Sequence, residues 1–218
     1  MNLGNMEKNY FREHAVALES YTTDKIKYFM ALKRVIDIVL SSIGIVLMFP
    51  ILFLIAILIK IESPGPAIYT QERVGYRGRY FKVIKLRSMT VDAELNGAQW
   101  AKKNDPRVTK VGLFIRKTRI DELPQLINVL LGEMSLIGPR PERAIFTYQF
   151  NEEIPGFINR LQVKPGITGW AQVNGGYDIN AKEKLELDQF YIKNLSFWLE
   201  IEIFIKTVRV CITGNGAR

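Results

Sequence analysis

The chain has 218 residues, one cysteine, one histidine and a formal charge of +8. A lone Cys211 excludes an internal disulfide, and a lone His14 in a polar N-terminal stretch excludes a His-rich zinc site, a Ser-His-Asp triad and a Cys-His pair. Acid–base or metal chemistry must then rest on carboxylates and lysines, and the basic excess calls for an anionic partner: phosphates, nucleic acid or a membrane surface.

The length suits one catalytic domain plus an anchor. The charge is local, with 14 lysines and arginines against 5 acids over residues 60–119. Just before it, "VIDIVLSSIGIVLMFPILFLIAILIK" (35–60) contains 22 uncharged residues, 38–59. As a helix this is roughly 33 Å, close to the hydrocarbon thickness of a bilayer. Pro50 sits near its middle, where it removes a helix hydrogen bond. Lys33 and Arg34 precede the segment and Lys60 closes it, so flanking charge sets no orientation. Two topologies stay open on these residues: a kinked span, which length favours, and a re-entrant helix that bends at Pro50. Asp37, one turn after Lys33, is placed to neutralise it at the interface.

Next, "ESPGPAIYTQERVGYRGRYFKVIKLRSM" reads as a Pro/Gly turn and two short strands paired around "GYRG". Lys82, Lys85 and Arg87 would project from this hairpin, either as a solvated basic face beside anionic lipid or as phosphate contacts. "RIDELPQLINVLLGEMSLIGPRPE" (119–142) places Asp121 and Glu122 after Arg116, Lys117 and Arg119, at or just inside a helix N-terminus. Thr118 and Asp121 are capping candidates, Pro124 belongs in the first turn, Leu123, Leu126, Ile127 and Leu130 form the buried stripe, and Gly132 is the stop. The acid pair serves there either as helix electrostatics, at about 0.3–1 kcal/mol, or as a nucleophile with a metal ligand. In "GPRPE", prolines lock the backbone on both sides of Arg140, which is either a surface arginine on a turn or a phosphate fork.

"KPGITGWAQVNGG" (164–176) is a Gly-rich loop carrying Lys164 and Trp170, of the kind that lets backbone approach a ligand. In "KEKLELDQFYIKN", Asp188 shares a helical face with Leu185, Tyr191 and Ile192 and needs a partner: a basic residue, a metal or a substrate group. "SFWLEIEIFIKTVRVCITG" has a narrow polar stripe of Glu202, Lys206 and Arg209 on a very apolar helix, which suits either the headgroup plane or a buried position in the domain.

Taken together, "KRVIDIVLSSIG", "FKVIKLRSM", "RIDELPQLINVLLGEMSLIGPRPE", "VKPGITGWAQVNG" and "ELDQFYIKN" resemble, in the same order, the monotopic bacterial polyprenyl-phosphate phosphoglycosyl transferases, over about residues 31–213. The chain looks like their minimal catalytic form, without the further membrane helices and domain of larger relatives. The resemblance implies an α-rich mixed α+β fold: a re-entrant membrane helix bent at Pro50, interfacial amphipathic helices, a small β-hairpin and one compact cytosol-facing catalytic domain. In some members a serine precedes that proline; here it is Phe49. The expected division is an extension over 1–32, the re-entrant helix over 33–60, the catalytic domain over 61–213 and a tail over 214–218.

The implied reaction moves sugar 1-phosphate from a UDP-sugar to undecaprenyl phosphate and releases UMP, on the cytoplasmic face of the bacterial inner membrane, to begin exopolysaccharide, capsule, O-antigen or glycan assembly. By the same resemblance Asp121 is the nucleophile, and Glu122 a magnesium ligand or activating base. The resemblance makes Lys85 and Arg140 phosphate contacts and gives Asp188 a role in metal binding or substrate positioning; the candidate metal set for Mg²⁺ is Asp121, Glu122 and Asp188, and Arg87, Arg119 and Lys164 join Lys85 and Arg140 as candidate phosphate-binding cations. Nucleic acid is not an expected partner, and a homo-oligomer is left open. The rival reading is a non-enzymatic membrane-anchored adaptor with a basic lipid- or nucleic-acid-binding surface.

Overall fold

The computed structural model describes Tyr10 and residues 24–95, 97, 105–175 and 179–213. His14, in the N-terminal stretch, and the tail over 214–218 lie outside the described residues.

The apolar run folds as helix α1, Asp24–Glu62, with Pro50 inside it. Over Tyr28–Glu62 the mean hydropathy peaks at 2.9 and little of the helix is buried, so it is long and apolar enough to cross a membrane. Val46, Leu47, Phe49, Phe53 and Leu54 are exposed. An apolar surface of this extent is stable only against lipid or another protein. The opposite side docks on the rest of the chain at both ends. Near its start, Lys33 pairs with Glu200, Arg34 donates to the carbonyl of Leu130 at 2.8 Å, and Asp37 accepts the N–H of Leu136 at 3.1 Å. Near its end, Ile55 and Ile59 join a core with Leu86 and Ile115. The expected Lys33–Asp37 pair therefore does not form. Such a pair is worth a few tenths of a kcal/mol, whereas a buried strand N–H left without an acceptor costs about 1–3 kcal/mol.

The hairpin forms as expected. Strand β1, Ile68–Val74, pairs antiparallel with β2, Tyr80–Leu86, from Ile68 opposite Leu86 to Val74 opposite Tyr80. The turn places Arg77 in the left-handed region, at φ 53°. Helix α2, Lys110–Lys117, starts at Thr109, whose hydroxyl accepts from the N–H of Gly112 at 2.9 Å, and ends at Thr118. Thr118 thus closes one helix rather than opening the next. Helix α3, Gln125–Leu131, begins after Pro124 and stops at Gly132 in the left-handed conformation, φ 84°.

Strand β3, Ser135–Ile137, pairs in parallel with β4, Gly166–Thr168. Here the Gly-rich loop brings backbone against backbone. A Cβ on Gly166 would lie 2.1 Å from the nitrogen of Gly138, and one on Gly169 would lie 2.1 Å from the oxygen of Gly138. Helix α4, Ala144–Glu153, a 3-10 segment Phe157–Gln162, and helices α5, Trp170–Asn174, and α6, Ala181–Lys193, complete the middle of the chain.

Helix α7 spans Phe197–Thr213. Leu199 and Ile203 are buried with Ile137, Val163 and Tyr191. Trp198, Ile201, Phe204, Ile205 and Val208 are exposed, and Glu202 pairs with Lys206 at 2.8 Å on the surface. One face of the helix is domain core and another is an open apolar surface.

Candidate active site

The acid pair is not in a helix. After Thr118, Arg119 adopts a left-handed conformation (φ 58°) that turns the chain into a single 3-10 turn, Ile120–Glu122, before Pro124 opens α3. Neither acid caps α3. A non-glycine residue in that region is uncommon, and it aims Asp121 and Glu122 inward, where both are buried.

Strand β2 and the Pro-Arg-Pro segment meet the pair from outside. Lys85 Nζ donates to Glu122 Oε1 at 2.7 Å. Arg140 Nη1 donates to Glu122 Oε2 at 3.1 Å, and its Nη2 donates to Oε1. Both oxygens of Glu122 are thus held by cations. A cavity of about 430 Å³ opens over the group. Its lining includes Asp121, Glu122, Lys85, Arg119 and Arg140, so the fold brings together five of the residues singled out in the sequence. Among the described residues, nine lysines and arginines line it against four carboxylates, which suits a ligand bearing more than one negative charge.

The two acids are driven apart electrostatically. Burial, reinforced by the charge of Glu122, pushes the Asp121 carboxyl up to about 6, while Lys85, Arg116 and Arg140 pull the other way. Burial would raise Glu122 as well, but Arg140 and Lys85 outweigh it and hold its carboxyl well below the usual range. Lys85 itself is lowered by burial and by Arg140, against the pull of Glu122. Adjacent carboxylates separated in this way take different roles: a fixed anion at 122, and at 121 a carboxylate more basic than usual that is still ionised at neutral pH.

Three expected site residues are placed elsewhere or otherwise engaged. Arg87 touches the cavity, but its guanidinium donates to the carbonyl of Pro64 and, through Nη2, to the carbonyl and hydroxyl of Ser63 at 2.8 and 3.0 Å. It stabilises the turn that leaves α1, where backbone carbonyls past a helix end need donors. Lys164 does not line the cavity. A Cβ on Gly132 would lie 3.7 Å from its Nζ and 3.5 Å from Arg34 Nη2, so Lys164 sits at the α1–α3 junction. Asp188 does not line it either; its Oδ2 accepts from Arg160 Nε and Nη2 at 2.9 and 2.6 Å. A buried acid on an apolar helix face found a guanidinium, which removes it from the metal set.

The sequence reading missed Arg73, Arg116, Arg143, Glu142 and Lys184 in the lining. Arg116 and Glu142 stood inside or beside the motifs that carry the acid pair and Arg140. Arg73 follows Tyr69 and Gln71 at the two-residue period of β1, and all three line the cavity.

Residues 28–214 match the bacterial sugar transferase family. The chain belongs to that family. Among bacterial sugar transferases it is 52% identical over 190 residues to the UDP-N-acetylgalactosamine-undecaprenyl-phosphate N-acetylgalactosaminephosphotransferase of Aeromonas hydrophila, covering 86% of this chain and 45% of that protein. It is 47% identical over 182 residues to the UDP-glucose:undecaprenyl-phosphate glucose-1-phosphate transferase of Escherichia coli (strain K12), covering 81% of this chain and 39% of that one. It is 57% identical over 155 residues to a Bacillus subtilis (strain 168) chain, covering 70% of this chain and 87% of that one. The match thus spans less than half the length of the first two relatives and most of the third.

In this sugar transferase the donor set fits a magnesium ion of one particular kind. Magnesium takes one or two carboxylates and completes its shell with water and substrate phosphates. Asp121 supplies a hard oxygen, both oxygens of Glu122 being taken by Lys85 and Arg140, and among the described residues no group of three or more His, Cys, Asp or Glu gathers as a protein cage. The fit is therefore to a cation that takes most of its ligands from outside the chain.

Proposed function

We propose that the chain transfers sugar 1-phosphate from a UDP-sugar to undecaprenyl phosphate, with Asp121 as nucleophile. The observation that carries the reading is the split acid pair: one carboxylate locked by Lys85 and Arg140, its neighbour open to a cation-lined cavity. The names of the relatives supply the acceptor, undecaprenyl phosphate, and two donors, UDP-N-acetylgalactosamine and UDP-glucose.

A carboxylate oxygen of Asp121 attacks the β-phosphorus, forming an acyl phosphate as the phosphorus–oxygen bond to the α-phosphate breaks. UMP leaves with the bridging oxygen. An oxygen of undecaprenyl phosphate then attacks the same phosphorus and releases the carboxylate, so the product carries a diphosphate. Phosphoryl transfer depends chiefly on positioning and charge stabilisation. Arg140 and Lys85 hold Glu122 as a fixed anion while the surrounding cations receive the phosphate oxygens. Asp121 would hold Mg²⁺, which neutralises the diphosphate, while Glu122 stays on Lys85 and Arg140.

The acceptor is a lipid, and the anchor fits that. We read α1 as re-entrant, bent at Pro50, with the domain on the cytoplasmic face of the inner membrane. Support comes from its two ends: Lys33 and Asp37 dock on the domain at one, Ile55 and Ile59 at the other. A straight spanning helix would carry its two ends to opposite membrane surfaces. The exposed apolar side chains of α7 offer a second lipid contact.

The test is UMP release from UDP-N-acetylgalactosamine and from UDP-glucose, with Mg²⁺ and undecaprenyl phosphate. Intact mass with donor alone should show a sugar phosphate on Asp121 that hydroxylamine removes. A membrane-anchored adaptor would release nothing, and transfer of the sugar alone would release UDP. An adduct mapped to another residue would sink the assignment of Asp121. Topology is read separately: cysteines placed near residues 5 and 100, with Cys211 removed, should both resist an impermeant thiol reagent in intact cells. Labelling of the first alone would establish a spanning helix.

A further inference from the structure

The segment that carries Arg140 is anchored in an unusual way. Pro139 and Pro141 donate no backbone N–H, so the segment is held through its carbonyls. All four in a row accept. Pro139 receives the N–H of Gly166 at 2.9 Å, and Glu142 receives the N–H of Val74 at 3.0 Å. The two inner carbonyls are held by guanidinium groups: Arg140 by Arg160 Nη2 at 2.9 Å, and Pro141 by Arg73 Nη1 at 3.2 Å.

Arg160 is itself buried, with 3% of its surface exposed, and lies over the ring of Phe157. A buried cation needs an anion with good geometry. Asp188 of α6 provides it, taking both Nε and Nη2 on one oxygen, and Glu142 Oε1 lies 3.8 Å from Nη1. Burial and pairing alone would make this a core ion pair of no consequence for chemistry. The further bond from Nη2 to the Arg140 carbonyl ties the pair to the residue that grips Glu122.

We infer that Arg160 is a positioning residue for the transfer reaction and that Asp188 sets Arg160, so that the pair fixes the backbone from which Arg140 reaches Glu122. This rests on the reading of Glu122 and Arg140 as part of the reacting site. It also gives Asp188 a function without a metal.

The experiment uses the full chain in lipid nanodiscs, with whichever of UDP-N-acetylgalactosamine and UDP-glucose the wild type turns over faster. Two variants are compared: Arg160→Lys, and Arg160→Met combined with Asp188→Leu. The second removes both charges together, which keeps a core foldable where loss of one partner would not. Each should lower kcat/KM by on the order of 10²-fold, as small displacements of a positioned group do. In an Arg140→Ala background the same changes should lower the residual rate by less than about twofold, because their route of action is already gone. Equal losses in both backgrounds would overturn the inference. Hydrogen–deuterium exchange at the N–H groups of Gly166 and Val74, which donate to this segment, should rise in both variants while α3 peptides stay unchanged, and unchanged exchange there would also overturn it. A wild type that releases no UMP from either sugar nucleotide would sink the transfer reading instead, and the exchange result alone would then decide the positioning.

Discussion

Asp121 and Asp188 are both buried acids, and burial raises the carboxyl of each. The difference lies in what meets the charge. Asp188 receives two guanidinium N–H bonds on one oxygen, from a partner as buried as itself. Asp121 is opposed through space by Lys85, Arg116 and Arg140, and it lines a cavity of about 430 Å³. Burial alone therefore does not mark a reacting group. An acid saturated by one fixed cation is part of the frame, and an acid surrounded by cations that also face open space can accept a phosphorus.

The largest effect expected from this contrast is on Asp121→Asn. Turnover should fall by on the order of 10⁴-fold or more, as when a nucleophile is removed. The fold should not suffer. A carboxyl raised to about 6 in the folded chain contributes stability below its ordinary range and loses it as pH rises through about 6. Removing the charge should therefore leave the Tm at pH 7 equal to or above that of the wild type. A large drop in Tm would assign Asp121 to the frame.

Asp188→Asn should behave in the opposite sense. It takes the hydrogen-bonded anion from the buried Arg160 and leaves only Glu142 at 3.8 Å, at a cost on the order of 3–5 kcal/mol, readable by denaturant unfolding in detergent. If the two asparagine variants were equally stable, the contrast between the two acids would collapse.

The pH profile sharpens the same point with a smaller effect. Protonation of Asp121 removes the nucleophile, so kcat/KM should fall about tenfold per pH unit on the acid side of about 6. Glu122, held well below the usual range, should add no second limb between pH 5 and 8. A flat profile down to pH 4.5 would contradict the raised carboxyl.

The smallest effect should come from Lys164→Ala. This lysine lies beside Arg34 at the α1–α3 junction and not in the cavity. Its loss should change KM for the sugar nucleotide by no more than about twofold, the scale of a substitution that breaks no buried contact. A tenfold rise would return Lys164 to the phosphate site.

Much of this molecule is legible in its sequence wherever the physics is local. The 22 uncharged residues before Lys60 read as an apolar helix, and the two short apolar stretches around "GYRG" read as a hairpin, as they fold. Gly132 stops α3 because a left-handed residue is needed there, and prolines stiffen the approach to Arg140. Even the gathering of Asp121, Glu122, Lys85, Arg119 and Arg140 follows from motifs readable along the chain and from the family they resemble. What the tertiary structure alone decided is which acceptor each cation meets. Arg87 and Ser63 are 24 residues apart, Arg160 and Asp188 are 28 apart, and Lys33 and Glu200 are 167 apart. Charge and hydrogen-bond attraction carry no sequence address, so a basic residue in a motif shows that an acceptor is needed but not which one. Only the packed chain, by excluding water and fixing distances, assigns Arg87 to a helix end, Asp188 to Arg160, and the open cavity to Asp121.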